Sequence, residues 1–164
     1  MIWCSVMAAE KKVAEFECHK KFAVDLFNLV WSLLDKKNRT EEEDDKMVHA
    51  AHASRFHWGE IGKPVNLGRG EWQISRVYSV LNRPESALYH AKRYLEICKE
   101  NSIGDFDLAY AYEAMARAYA VAGKKGETDK YIQLTKKAGE QIKEKENRDL
   151  LHSDLKTIPS YKKE

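Results

Sequence analysis

The chain has 164 residues, enough to bury a core without disulfide or metal staples, and reads as one domain. Charged residues make up 33% and hydrophobic ones 43%, which excludes both a disordered and a membrane-embedded chain. The net charge is +2 with both signs interspersed along most of the chain, unlike the clustered basic face of a nucleic-acid binder.

Cys4, Cys18 and Cys98 are widely spaced and form no CxxC pair, so the expected setting is a reducing cytosol rather than a disulfide framework. The opening segment is briefly apolar, but charge arrives at Glu10-Lys11-Lys12, too early for a signal peptide or a membrane span. Met7 offers a second start, with residues 1–6 then expected to be loosely ordered.

In chain order, a first helix is expected from about Val13 to Lys36. Phe16, Phe22, Ala23, Leu26, Phe27, Val30, Leu33 and Leu34 recur mostly three and four apart, a wide apolar stripe. Thr40 to Glu43 reads as a capping box, and the acids Glu41 to Asp44 suit the first turn of a second helix ending near Glu60. Gly68 and Gly70 suggest a loop, then a third helix over about Glu71 to Leu81. Pro84 opens a fourth, reaching Glu100, and Asp105 is the candidate N-cap of a fifth, Phe106 to Ala122. A sixth is expected from about Glu127 to Lys145, and a short seventh over about Arg148 to Lys156. No segment alternates with period two for long enough to make a strand, so the fold class is all-α.

Two stretches superimpose with a shift of about 41 residues. Ile74, Ser75, Tyr78 and Asn82 fall on Met115, Ala116, Tyr119 and Gly123. The large apolar residue and the tyrosine share one helix face, and the small residue lets a neighbouring helix approach. Asn82 or Gly123 then takes the left-handed turn that folds the chain back. In the first copy Ala87 and Ala91 follow, four residues apart. In this spacing the chain resembles the tetratricopeptide repeat, a helix–turn–helix unit, over about residues 71–142. Tyr112, Met115, Ala116, Tyr119 and Ile132 match its pattern, as do Ile74, Ser75, Tyr78 and Ala87. The departures are Trp72, one residue late for the pattern's tryptophan, Ala91 where the pattern has phenylalanine, Thr128 in place of alanine, and the missing closing proline. The shift is also longer than the family's unit by about seven residues, which requires a long link between the hairpins.

The resemblance implies antiparallel hairpins stacked as a short α-solenoid of six to seven helices: an N-terminal pair over 13–60, two repeat-like hairpins over 71–145 and a short helix over 148–156. It also implies a non-catalytic module that binds a protein or peptide on the face made by each hairpin's first helix, without a cofactor. Trp72 and Arg76 correspond to Glu113 and Arg117 by the same shift, and Arg69 and Tyr110 lie about one turn earlier. Trp72, Arg76, Tyr110, Glu113 and Arg117 are therefore the candidate peptide-binding residues, with the arginines able to fork onto a carboxylate. The alternative at the same positions is an Arg–Glu ion pair between neighbouring helices that binds nothing.

The second helix carries His49, His52 and His57. Asp45, His49 and His52 fall within about 60° of one helix face, a candidate metal-ligating or acid–base set, with His90 as a more distant addition. Against it, the apolar residues Met47, Val48, Ala50, Ala51, Ala53, Phe56 and Trp58 ring this helix, where histidines more often serve structural hydrogen bonds. A metal- or small-molecule-binding helical protein and a self-associating one are thus the alternatives to the peptide-binding module.

Overall fold

The computed structural model describes the backbone of residues 2–159 and the side chains of residues 11–159. Among the described residues it contains seven α-helices and no strand. The chain divides into two compact units, Met1–Lys63 and Pro64–Glu164.

The first unit is a hairpin of α1 (Ile2–Leu34) and α2 (Glu41–Ile61). The capping box forms as its spacing predicts: the Thr40 side chain accepts from the Glu43 amide at 3.3 Å, and the Glu43 carboxylate accepts from the Thr40 amide at 3.2 Å. Four acids in the first turn of α2 complement its dipole. At the other side of the turn, Arg39 donates to the Lys36 carbonyl at 3.0 Å and pairs with Asp44 at 2.6 Å, closing the end of α1. Small residues set the helix–helix seam. Ala23, Ala50, Ala51 and Ser54 are buried, and the Ser54 hydroxyl donates to the Ala23 carbonyl at 2.8 Å. The expected start of α1 at Val13 is too late, because the helix already runs from Ile2. The expectation of loose order over residues 1–6 falls on Met1 and on side chains that lie outside the described residues.

The second unit contains α3 (Pro64–Val80), α4 (Pro84–Glu100), α5 (Asp105–Val121), α6 (Lys125–Gly139) and α7 (Lys145–Leu155). α3 packs on α4 and α5, α4 on α5, α5 on α6, and α7 on α5 and α6. α5 lies at the centre. Its alanines at 109, 111, 114, 116 and 118 are buried, so its neighbours approach closely.

The turns explain the spacing of the two similar stretches. Asn82 has φ 54° and Gly123 has φ 69°, the left-handed conformation that their shared position calls for. In both turns the next amide reaches back five residues, Arg83 to the Tyr78 carbonyl at 2.9 Å and Lys124 to the Tyr119 carbonyl at 3.0 Å. Each is the six-to-one bond of a Schellman ending.

Three expectations need correction. The loop inferred from Gly68 and Gly70 is helical. Pro64 starts α3 a full two turns early, and Gly68 serves close packing, since a Cβ there would lie 2.9 Å from the Tyr94 ring. Asp105 does not cap α5; it sits at φ 54°, and its carboxylate accepts from the Lys143 amide at 3.3 Å. α6 ends at Gly139, six residues before Lys145, where a Cβ would lie 2.8 Å from Leu151 of α7. Leu151, Leu155 and Ile158 are buried, each contributing about 1.5–3 kcal/mol on transfer from water, so α7 is an integral closing element of this unit.

Candidate functional site

The sequence-derived set Trp72, Arg76, Tyr110, Glu113 and Arg117 comes together in the second unit, on α3 and α5. The Trp72 ring meets the Tyr110 ring edge-on with centroids 5.0 Å apart. Arg76 of α3 donates to Glu113 Oε1 of α5 at 3.4 Å, and Arg117, one turn further along α5, donates through Nε to the same oxygen at 2.8 Å. Glu113 is 0% exposed, and its other carboxylate oxygen is buried without a hydrogen bond.

The arginines also hold the chain's own C-terminal segment. Arg76 Nη2 donates to Asp154 Oδ1 at 3.2 Å, while the Tyr110 hydroxyl donates to Asp154 Oδ2 at 3.0 Å. Arg117 Nη2 donates to the Asp154 carbonyl and to the Thr157 hydroxyl, both at 2.9 Å. Two cations thus meet two carboxylates in a neutral network joining α3, α5 and α7. The Arg–Glu ion pair weighed as the alternative to a ligand clamp is present. Burial, with Asp154 and Glu113 nearby, raises the Tyr110 phenol well above its ordinary value.

A second charged cluster lies about two turns earlier on α3 and α5. Arg69 forks onto Asp107, at 2.8 Å and 2.9 Å, and the Tyr94 hydroxyl donates to the same carboxylate at 2.9 Å. Burial and the Asp107 charge push Tyr94 upward too. Sequence reasoning missed Asp107, Asp154 and Thr157. The signal for Asp154 was available, because repeating the Trp72-to-Glu113 step once more lands on it.

At the C-terminal ends of α3 and α5 a cavity of about 180 Å³ opens, lined by Ser79, Val80, Arg117, Val121, Thr157 and Pro159. Val80 is exposed at its rim, and the Ser79 hydroxyl is buried without a hydrogen-bond partner. The cavity suits one aliphatic side chain beside a polar group.

The candidate metal set is dispersed on the surface of α2: Asp45, His49 and His52 are all exposed. Among the described residues, no group of three or more His, Cys, Asp or Glu side chains is arranged to hold a metal ion. His90 instead lies with Nδ1 2.6 Å from Glu71 Oε2 and stacks on Tyr78 with centroids 5.8 Å apart. His57 pairs with His19 of α1, Nδ1 to Nδ1 at 3.1 Å.

No family model, curated protein or solved structure matches the chain. Among the described residues, no helix is long and apolar enough to cross a membrane.

Proposed function

We propose that the second unit is a non-catalytic, tetratricopeptide-like module that binds a protein or peptide partner in the cytoplasm. The observation that carries this reading is the packing order of its helices. Each hairpin packs within itself, α3 and α5 pack side by side, and α7 packs on α5 and α6. The matched left-handed turns at Asn82 and Gly123 support the same repeat. In this account the Arg76–Glu113–Arg117–Asp154 network fixes the angle between hairpins. The partner is met by the surface beside it, with one apolar side chain entering the cavity rimmed by Val80 and Val121.

A peptide array probed with the full chain tests the reading. Val80→Asp and Val121→Asp are expected to weaken peptide capture at least about tenfold while leaving the melting temperature nearly unchanged. Arg76→Ala is expected to lower the melting temperature. Loss of capture in a still-stable Arg76→Ala variant would return that arginine to the role of direct ligand clamp. A folded chain that captures no peptide would refute the module.

One observation favours self-association as a second reading. On the first unit, Val13, Phe16, Phe22 and Phe56 are 63%, 44%, 50% and 60% exposed. Phe22 and Phe56 lie together around His57, and a contiguous apolar patch of this kind marks a surface for association. Sedimentation of the full chain decides it, and a monomer at micromolar concentration would end it.

A further inference from the structure

His19 and His57 stand outside the site described above, on the hairpin of the first unit. We propose that these two histidines form a two-imidazole site for a zinc-class divalent cation, with water filling the remaining coordination positions. Their Nδ1 atoms are 3.1 Å apart, their ring centroids 5.0 Å apart, and the rings are inclined at 68°. The rings therefore approach through their nitrogen edges rather than face to face. Two nitrogens bound at about 2.0–2.1 Å to one tetrahedral zinc lie about 3.3 Å from each other, close to this separation.

The placement is built in at the level of the backbone. Near one end of the pair, the Ser54 hydroxyl bonded to the Ala23 carbonyl fixes the register of α1 against α2. The rings of Phe22 and Phe56 flank His57, with centroids 5.3 Å and 5.5 Å away, and restrict its rotation. Both histidines are half-buried, so water can reach the open side. Imidazole nitrogen suits zinc, nickel and copper rather than magnesium or calcium, which prefer oxygen.

Metal-free and metal-bound pairs differ in one proton position. A hydrogen bond between the two Nδ1 atoms needs one ring protonated at Nδ1 and the other at Nε2. A shared cation needs both Nδ1 lone pairs, so both rings carry their proton on Nε2. Binding therefore shifts a tautomer without releasing a net proton from the neutral pair.

The test uses the full chain, purified without a histidine tag, stripped with a chelator and titrated with zinc alone against a chromophoric competitor. One zinc per chain is expected. It should be lost in His19→Ala and in His57→Gln, and kept in a His49→Ala, His52→Ala double variant. Nitrogen-15 spectra should move both Nδ1 resonances to the metal-bound position together. Circular dichroism separates loss of the site from loss of the helices, and His57→Gln keeps a hydrogen-bonding side chain of similar reach. Absence of zinc binding by the parent chain would overturn the proposal, as would undiminished binding by a helical His57→Gln variant. So would loss of zinc only in the His49→Ala, His52→Ala variant.

Discussion

Arg76 and Arg117 converge on a single oxygen of Glu113, at 3.4 Å and 2.8 Å, inside a part of the second unit where Glu113 has no exposure to water. Removing that carboxylate leaves two partly buried cations with only Asp154 to offset them, and breaking a buried pair in this way costs about 3–5 kcal/mol. Glu113→Ala is therefore expected to lower the urea midpoint by a corresponding amount. Combining it with Arg117→Met should cost less than the sum of the single changes, because the second substitution removes a stranded charge. An additive double-mutant cycle would dissolve the network as an energetic unit.

Two glycines in helices make opposite predictions. At Gly68 a methyl group would meet the rigid Tyr94 ring at 2.9 Å, whereas at Gly126 nothing lies within 4 Å. Gly68→Ala should destabilise by about 1–3 kcal/mol through overpacking. Gly126→Ala should stabilise by about 0.4–1 kcal/mol, chiefly by reducing the freedom of the unfolded chain. Thermal melts of the two variants check both signs.

The thiols separate in the same manner. Cys98 is buried and burial pushes its pKa up to about 12, while Cys18 is exposed. At pH 8 the Cys98 thiolate is scarcer than that of an ordinary cysteine by about three orders of magnitude. In a Cys4→Ser background, maleimide should label Cys18 promptly and spare Cys98 until denaturant is added. Comparable labelling rates for the two in native protein would contradict the packing around Cys98.

Alkaline stability follows from Tyr94 and Tyr110, whose folded-state values are both raised above 10.0 by burial. Below pH 10 both states keep the phenolic protons and these groups contribute nothing to the pH dependence. Above it the unfolded chain loses protons that the native chain retains, so stability falls as pH rises. Each tyrosine should add about 1.4 kcal/mol per pH unit to that decline. Urea midpoints between pH 9 and 11 should therefore fall less steeply in Tyr110→Phe than in the parent.

How far the sequence reaches is seen at particular residues. Helix periodicity, the Thr40 capping box and the turns at Asn82 and Gly123 were legible because each is set by local chemistry. The pairing of Arg76 with Glu113 was legible as an alternative because the shift of about 41 residues matches the Trp72–Arg76 stretch to the Glu113–Arg117 stretch. Asp154 was missed because α7 is short and polar, and what fixes it in place is tertiary: Leu151 against Gly139 of α6, and a carboxylate between Arg76 of α3 and Tyr110 of α5. Gly68 was misread for a related reason. A glycine needed for close helix approach looks, in sequence, like a glycine needed for a turn. His19 was invisible as a partner of His57 until the register of α1 against α2 was known.

The most direct measurement of the central claim is a binding isotherm for an array-selected peptide against the full chain and its Val121→Asp variant. The account predicts saturable binding to the parent, weakened at least tenfold (about 1.4 kcal/mol) in the variant at unchanged helix content. Equal affinity for both proteins would contradict it.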